Sequence, residues 1–164
     1  MKPLHIGIVP DGNRRWAQAH GLPASEGHRR GAERLKDILY HIAQKYPKVK
    51  QVTVWAFSSE NFSRSEQEKR FIFKNIQAKL IEIADDKRTH ENKLRINVTG
   101  SRLDETPETL RQAARYAMEM TKNFSRGMLN IAIGYGGKFE IFKASLGFAK
   151  WLKERPLIRT MTPE

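Results

Sequence analysis

The stretch "HIGIVPDGNRRWA" (residues 5–17) joins a short apolar run to a dense group of polar and charged side chains. The run "HIGIV" has the Ile- and Val-rich composition of a β-strand. It is followed at once by an acid, a glycine, an amide, two arginines and a tryptophan. In open α/β sheets, ligands bind at the carboxyl ends of the strands. This order therefore predicts a strand that ends in a binding loop.

The same order of apolar run and polar loop recurs along the chain. Runs that resemble the first occupy residues 51–57, 94–98 and 128–134. Segments with apolar residues at helical spacing lie between or after them, at residues 31–44, 65–86, 106–121 and 138–153. This alternation predicts an α/β fold with a mainly parallel β-sheet flanked by helices, in a single domain over residues 1–164.

Polar loops that follow the strands are expected to meet at one edge of this sheet. They read "PDGNRRW", "SSENFSR", "TGSR" and "YGGK", at residues 10–16, 58–64, 99–102 and 135–138. Because parallel strands share a direction, their carboxyl ends lie along the same edge. That edge is the predicted functional site.

The chain is strongly basic, with 30 Lys and Arg against 18 Asp and Glu. The excess favours an anionic partner, which composition leaves open as a nucleic acid, an anionic membrane or a phosphorylated small molecule. A generally basic surface is the simpler alternative. The absence of cysteine excludes disulfides and thiolate metal sites. No apolar run approaches the roughly 20 residues of a membrane span, and no leader pattern opens the chain, so a cytoplasmic protein is expected.

Asp11 has two interpretations from the residues around it. It is either a turn residue paired with Arg14 or Arg15, or a ligand of Mg²⁺, which binds through one or two carboxylates and substrate phosphates. In the second case the arginines would grip phosphate oxygens in bidentate fashion. Trp16 is either a core anchor or a wall beside the substrate.

Two further segments carry more polar chemistry than a connection needs. "GHRRG" (residues 27–31) lies near a predicted helix start, where backbone N–H groups favour an anion, although a solvated basic turn is the alternative. In "SSEN" (residues 58–61), a helix cap at Ser63 or Ser65 accounts for part of the polarity but leaves Asn61 unexplained.

Helical segments add two expectations. "TPET" places Thr106 as an N-cap, with Pro107 at the first helical position. The second segment carries an apolar set that is most simply core and would also suit the wall of an apolar tunnel: Phe71, Phe73, Ile76, Leu80 and Ile83.

Five ordered blocks carry a family resemblance: "HIGIVPDGNRRWA", "GHRRG", "VTVWAFSSENFSR", "LRINVTGSRL" and "LNIAIGYGGKFEI". From about His5 to Ile141 the chain resembles the cis-prenyltransferases, the undecaprenyl diphosphate synthase family. The resemblance implies the fold of that family and the Mg²⁺-dependent condensation of isopentenyl diphosphate with an allylic diphosphate, such as farnesyl diphosphate. It also implies a hydrophobic tunnel, a homodimer, peripheral membrane contact through the lipid product, and no nucleic-acid partner.

The resemblance also assigns roles residue by residue. Asp11 would be the metal ligand and the catalytic acid that assists departure of diphosphate, and Asn61 the candidate proton acceptor. The implied substrate-binding residues are Gly12, Asn13, Arg14, Arg15, Trp16, His28, Ser58, Ser59, Glu60, Phe62 and Arg64.

Several positions depart from the family pattern. Pro10 stands where Met is common, and Phe62 replaces Trp, which keeps an aromatic wall without the indole donor. Ala24 replaces an arginine, so that phosphate contact would have to come from Arg29 or Arg30, or be lost. Lys138 replaces the Arg that follows "YGG", so a guanidinium that could bind in bidentate fashion is replaced by the single charge of an ammonium group.

The end of the sequence shapes a further expectation. Family members continue through an "IRxSGE"-like segment and a metal-binding glutamate, whereas this sequence reads "PLIRTMTPE" (residues 156–164). "LIRT" (residues 157–160) lacks the Ser-Gly-Glu that should follow and is interpreted as a linker. The expectation is a domain truncated at its C-terminus, with the isopentenyl half of the site absent.

Two alternative functions stay open on the sequence. One is a non-catalytic relative that binds prenyl diphosphates or partners an active subunit, although Asp11, Asn13 and Arg15 are intact. The other, a basic nucleic-acid-binding domain, should show a basic face with exposed stacking aromatics. The arginines cluster instead beside an acid and glycines.

Overall fold

The computed structural model describes residues 2–155, so "LIRT" at 157–160 lies outside the described residues. Strands and helices alternate along the chain. In order, the elements are β1 (Leu4–Ile8), α1 (Asn13–Ala19), α2 (Ala24–Lys45), β2 (Val49–Ser58), α3 (Glu66–Asp85), α4 (Lys87–Glu91), β3 (Leu94–Thr99), α5 (Glu108–Met120), β4 (Gly127–Tyr135) and α6 (Gly137–Glu154). Short 3₁₀ turns at Ser59–Ser63 and Leu103–Glu105 follow β2 and β3.

The strands form one parallel sheet in the order β1-β2-β4-β3. Val54, for example, lies opposite Ile8 on one side and Ile131 on the other. The predicted α/β fold with a parallel sheet is therefore confirmed, and the strands all end at one edge.

The hydrophobic core lies between one face of the sheet and helices α3 and α5. Val52 and Val54 of β2 alternate with exposed or half-buried neighbours, as a strand with one buried face requires. Leu80 of α3 and Leu110 of α5 are 1% and 0% exposed.

The other face of the sheet carries a row of polar side chains that crosses all the strands. Thr53 Oγ1 is hydrogen-bonded to His5 Nε2 at 2.7 Å and accepts from Asn130 Nδ2 at 3.3 Å. Asn97 Nδ2 donates to Asn130 Oδ1 at 3.0 Å. These contacts satisfy polar groups that a strand places on alternate positions.

The first binding loop is shorter than predicted, because residues 13–19 form helix α1. Helix α2 begins at Ala24, so the helix extends before the apolar spacing that starts at residue 31, and "GHRRG" lies near the helix start as predicted. The glycines of "GHRRG" are a packing requirement. A Cβ on Gly27 would lie 2.1 Å from the Asn13 carbonyl oxygen, and a Cβ on Gly31 would lie 2.3 Å from Asn13 Oδ1. Glycines one turn apart thus let α1 lie directly against α2.

The capping predictions have mixed outcomes. Ser65 caps α3, its hydroxyl accepting from the Glu68 N–H at 3.3 Å. The N-cap prediction for Thr106 is wrong, because α5 begins at Glu108 after Pro107, and Thr106 Oγ1 donates to the Leu103 carbonyl at 2.6 Å. Across residues 2–155, no helix combines the length and apolar composition that crossing a bilayer requires.

Candidate active site

A cavity of about 340 Å³ lies between the sheet and helices α2 and α3. This volume is at the small end of ligand pockets, which span roughly 300–1,000 Å³. Polar residues at the carboxyl ends of β1 and β2 and at the starts of α2 and α3 line one end, here called the cavity mouth: Asp11, Asn13, His28, Ser58, Asn61 and Arg64. Both helices then run back along the sheet, and their later residues line the apolar body of the cavity: Leu35, Leu39, Ile72, Ile76, Leu80 and Ile83.

Asp11 follows β1 and is held by its neighbours. Its Oδ1 accepts from the Gly12 N–H at 2.6 Å, and its Oδ2 accepts from Arg15 Nη2 at 3.0 Å. Gly12 turns the chain into α1 at φ +87°, a conformation that favours glycine. The Asp11 and Arg15 side chains are 79% and 78% exposed, so the pair is open to exchange with a ligand. The salt-bridged interpretation of Asp11 is present in the structure, and its place at the cavity mouth leaves the ligand-binding interpretation open.

A carboxylate that the sequence analysis missed joins the two arginine-bearing segments. Glu68 Oε1 accepts from Arg64 Nη1 at 2.5 Å and lies 3.8 Å from Arg14 Nη1. The four-residue spacing of Arg64 and Glu68 across the start of α3 was a usable signal. The approach of Arg14 from α1 is tertiary and had no signal in the sequence.

His28 is half-buried at the cavity mouth, and its Nε2 has no hydrogen-bond partner among residues 2–155. Burial lowers the pKa of His28, and the charge of Arg64 lowers it further. The imidazole is therefore neutral near pH 7, and its buried nitrogen is free for a ligand.

Asn61, which the sequence left unexplained, has a structural role in the turn after β2. Its N–H donates to Ser58 Oγ at 3.3 Å, while its Oδ1 accepts from the Ser58 N–H at 3.1 Å. This reciprocal capping box fixes the amide at the cavity mouth. The pKa of the exposed Glu60 is lowered, mainly because its own backbone N–H donates to the carboxylate and, to a smaller extent, because the Ser58 hydroxyl does so.

The remaining sequence-predicted site residues lie around the mouth without lining the cavity: Gly12, Arg14, Arg15, Trp16, Ser59, Glu60 and Phe62. Trp16 is 37% exposed and stacks on His20 with ring centroids 4.2 Å apart, so the core interpretation is wrong. Phe62 is not the expected aromatic wall of the cavity. Its ring packs edge-to-face on Phe57 at 5.1 Å, against the core.

The two arginines of "GHRRG" are already paired with carboxylates. Arg29 donates to both carboxylate oxygens of Glu26 and to Glu33, and Arg30 donates to Glu26 at 2.8 Å. These partners lower the pKa of Glu26 to about 2. The arginines thus lie on a solvated, paired helix surface, which is the alternative the sequence had left open.

The apolar body of the cavity is interrupted by polar side chains. Lys36 and Lys79 line it and both pair with Glu82. Asn75 also lines it, and its Nδ2 is buried without a hydrogen-bond partner in the described part of the chain. Of the predicted apolar set, Ile76, Leu80 and Ile83 line the cavity, while Phe73 and Leu80 are buried in the core.

The residues present fit Mg²⁺ in one mode. Asp11 is the one acid among the cavity-lining residues, and residues 2–155 contain no group of three or more His, Asp or Glu that could hold a metal. The protein side chains of such a site do not supply enough ligands to bind a metal ion on their own. It suits a magnesium ion that is held by one carboxylate and by the phosphates of a substrate.

Known proteins resemble this chain in sequence. The model of a family described as putative undecaprenyl diphosphate synthase matches residues 9–161. A tritrans,polycis-undecaprenyl-diphosphate synthase (geranylgeranyl-diphosphate specific) of Thermoplasma volcanium is 41% identical over 143 residues, which are 87% of this chain and 54% of the relative. The enzyme of the same name from Archaeoglobus fulgidus is 42% identical over 87% of this chain and 55% of the relative. The chain thus spans about half the length of the curated relatives it matches.

Solved structures show the same likeness. Lavandulyl diphosphate synthase from Lavandula x intermedia, in complex with dimethylallyl diphosphate, superposes with a TM-score of 0.81 at 27% identity, over 93% of this chain and 64% of that one. A probable undecaprenyl diphosphate synthase from Campylobacter jejuni shares the fold, with a TM-score of 0.67 at 24% identity over 98% and 64%. With a matching family model over most of its length, the chain belongs to the undecaprenyl diphosphate synthase family of cis-prenyltransferases.

Proposed function

We propose that the protein condenses isopentenyl diphosphate with an allylic diphosphate to give a Z-polyprenyl diphosphate. The observation that carries the proposal is the cavity, which joins a polar mouth to an apolar body. A ligand complementary to it has an anionic head and an apolar tail, as a prenyl diphosphate does.

The names of the relatives narrow the allylic substrate. The archaeal relatives are named as specific for geranylgeranyl diphosphate, and the lavender enzyme was solved with dimethylallyl diphosphate. Geranylgeranyl diphosphate is therefore the first primer to compare with farnesyl diphosphate. Because the chain spans about half of the archaeal relatives, the substrates of the whole protein belong to this proposal.

The polar residues of the cavity mouth would have different roles in the departure of diphosphate, the leaving group. The reaction breaks the allylic carbon–oxygen bond, forms a carbon–carbon bond, and releases diphosphate and a proton. Arg14, Arg15 and Arg64 would bind the phosphate oxygens, with Asn13 and neutral His28 beside them. Asp11 would hold Mg²⁺, which when bound neutralises charge that develops on the departing diphosphate.

Asn61 is proposed as the acceptor of the proton that isopentenyl diphosphate loses. Its capping box with Ser58 fixes the amide before substrate arrives, which lowers the cost of ordering it in the reaction. The amide oxygen keeps one lone pair beyond the Ser58 contact. Replacement of Asn61 by Ala should therefore slow turnover more than it weakens substrate binding.

The test is transfer of labelled isopentenyl diphosphate to each primer with Mg²⁺, with and without EDTA, alongside primer binding by calorimetry. Asp11→Asn keeps the shape of the side chain and removes its charge. Asp37→Asn, an exposed position on α2 whose carboxylate lies 3.9 Å from Arg34, is the matched control. We expect EDTA and Asp11→Asn, but not Asp37→Asn, to weaken Mg²⁺-dependent primer binding about tenfold or more. Equal primer binding by both variants and by the unaltered chain would refute the role of Asp11, and no binding at all would refute the proposal.

The proposal extends to the oligomeric state of the protein and its location in the cell. A homodimer, a cytoplasmic location and a peripheral membrane contact through the lipid product are expected of this activity. Exposed apolar side chains on α6 support an interface there, with Ile141 70% and Phe148 60% exposed. Sedimentation equilibrium of the chain tests the dimer, and a concentration-independent monomer mass would contradict it.

A further inference from the structure

The loops after β2 and β3 and the end of β4 meet at Arg102, a residue outside the cavity lining. The Arg102 backbone N–H donates to the Gly134 carbonyl at 3.2 Å, at the end of β4. Its Nη1 donates to the Ser59 carbonyl at 3.2 Å, in the 3₁₀ turn that follows β2. One residue of the β3 loop therefore ties the β2 loop to the end of β4.

The guanidinium of Arg102 is fixed in orientation by two different contacts. Its Nε and Nη2 form a fork with the carboxylate of Glu105, at 2.7 and 2.6 Å. Its plane lies over the ring of Phe62, with 4.1 Å from Cζ to the ring centroid. The pair with Glu105 raises the pKa of Arg102, so the group is charged at any physiological pH. Only a planar, forked cation makes both contacts at once.

Apart from Arg102, the turn Ser59–Ser63 is held by the packing of the Phe62 ring on Phe57 and by its own hydrogen bonds. None of the residues of Ser59–Ser63 is buried, although the turn carries Asn61 and follows Ser58 at the cavity mouth. Arg102 holds this turn at both ends, through the Ser59 carbonyl and the Phe62 ring. Without those contacts, the turn would keep the Ser58–Asn61 capping box and the packing of Phe62 on Phe57, but it would lose its hydrogen bond to the β3 loop.

We propose that Arg102 is a positioning residue for the cavity mouth: by clamping the 3₁₀ turn Ser59–Ser63, it sets Ser58 and Asn61 for the ligand. The ligand part of this inference rests on the proposed function, whereas the order of the turn does not. A turn that is ordered only a tenth of the time reduces apparent ligand affinity on the order of tenfold.

The test compares Arg102→Lys with Arg111→Lys, a control of similar contacts away from the cavity. Arg111 pairs through Nε and Nη2 with Glu108 Oε2, and its Nη1 donates to the carbonyls of Asp104 and Thr106. Its side chain is 28% exposed, against 26% for Arg102. Hydrogen–deuterium exchange is read in peptides that cover residues 59–63. We expect about tenfold faster exchange there for Arg102→Lys and no change there for Arg111→Lys. Unchanged exchange of these peptides in Arg102→Lys would overturn the clamp.

Calorimetric titration with farnesyl and geranylgeranyl diphosphate separates the inference from the proposed function. The expected result is on the order of tenfold weaker binding by Arg102→Lys, and binding within twofold of the unaltered chain by Arg111→Lys. Equal binding by Arg102→Lys and the unaltered chain overturns the inference alone. No binding by the unaltered chain overturns the proposed function and the ligand part of the inference with it. If Arg102→Lys does not fold, Glu105→Gln loosens the same fork and should change both readouts in the same direction by a smaller factor.

Discussion

Replacement of Asn75 by Leu is expected to stabilise the protein, although it removes a polar residue from the cavity. The Asn75 Nδ2 is buried and has no hydrogen-bond partner within residues 2–155. A buried donor left without a partner costs about 1–3 kcal/mol. Leu removes that cost and adds at most about 0.7 kcal/mol from its better helix propensity. The expected rise in the free energy of unfolding is therefore about 1–4 kcal/mol, which corresponds to roughly 2–4 °C in Tm for each kcal/mol in a chain of this size.

The assay for Asn75 is urea unfolding followed by circular dichroism, with the slope m checked for constancy. Asn75→Asp is the matched variant, since it has the same shape but buries a carboxylate. It should destabilise the protein at pH 7, and more so as the pH rises through the raised pKa of a buried acid. A gain for Asn75→Leu no larger than the helix-propensity term would refute the reasoning, because it would mean that the amide is already satisfied.

Two further predictions concern pH and backbone packing. Because the pKa of His28 is lowered in the folded chain from its ordinary value of 6.5, the unfolded state binds more protons, and stability should fall as the pH drops from about 7 toward the folded pKa. His28→Gln should lose less of its free energy of unfolding on acidification than the unaltered chain, by up to about 1.4 kcal/mol per pH unit. Urea unfolding at pH 7.5 and 5.5 measures this difference, and an equal loss in both proteins would contradict the prediction. A Cβ at Gly136 would lie 2.0 Å from Ser59 Oγ, whereas at Gly147 of α6 nothing lies within 4 Å. Gly136→Ala should lower the free energy of unfolding by about 1–3 kcal/mol and Gly147→Ala should raise it by about 0.5–1 kcal/mol, so equal changes would contradict the packing argument.

Most of the fold was predictable because it rests on local pattern. Short Val- and Ile-rich runs alternated with helical spacing, and the structure has its strands and helices in that order. The boundaries that failed lie where a residue's local preference was overruled by packing. The first loop was predicted to run to residue 16, yet α1 begins at Asn13, where it packs directly against Gly27 and Gly31 of α2.

The site was predictable in composition and only partly in arrangement. Asp11, Asn13, His28, Ser58, Asn61 and Arg64 line the cavity mouth, as their place after the strands and at helix starts indicated. Arg14 and Phe62 come from the same segments but lie outside the lining, because their side chains turn toward Glu68 and toward the core. Sequence position located the loops and left the direction of each side chain undecided.

By itself, the sequence determined that this chain builds a parallel sheet and that its polar loops share one edge, and its basic excess favoured an anionic partner. Those features follow from periodicity and charge, which are local. The tertiary structure left the buried Asn75 Nδ2 without a hydrogen-bond partner among residues 2–155. It also decided that Glu68 joins Arg14 to Arg64, and that Arg102 contacts the turn that carries Asn61. Each of these joins elements that are far apart in the chain. Their contacts depend on how helices and loops pack on the sheet, and no local pattern encodes that packing.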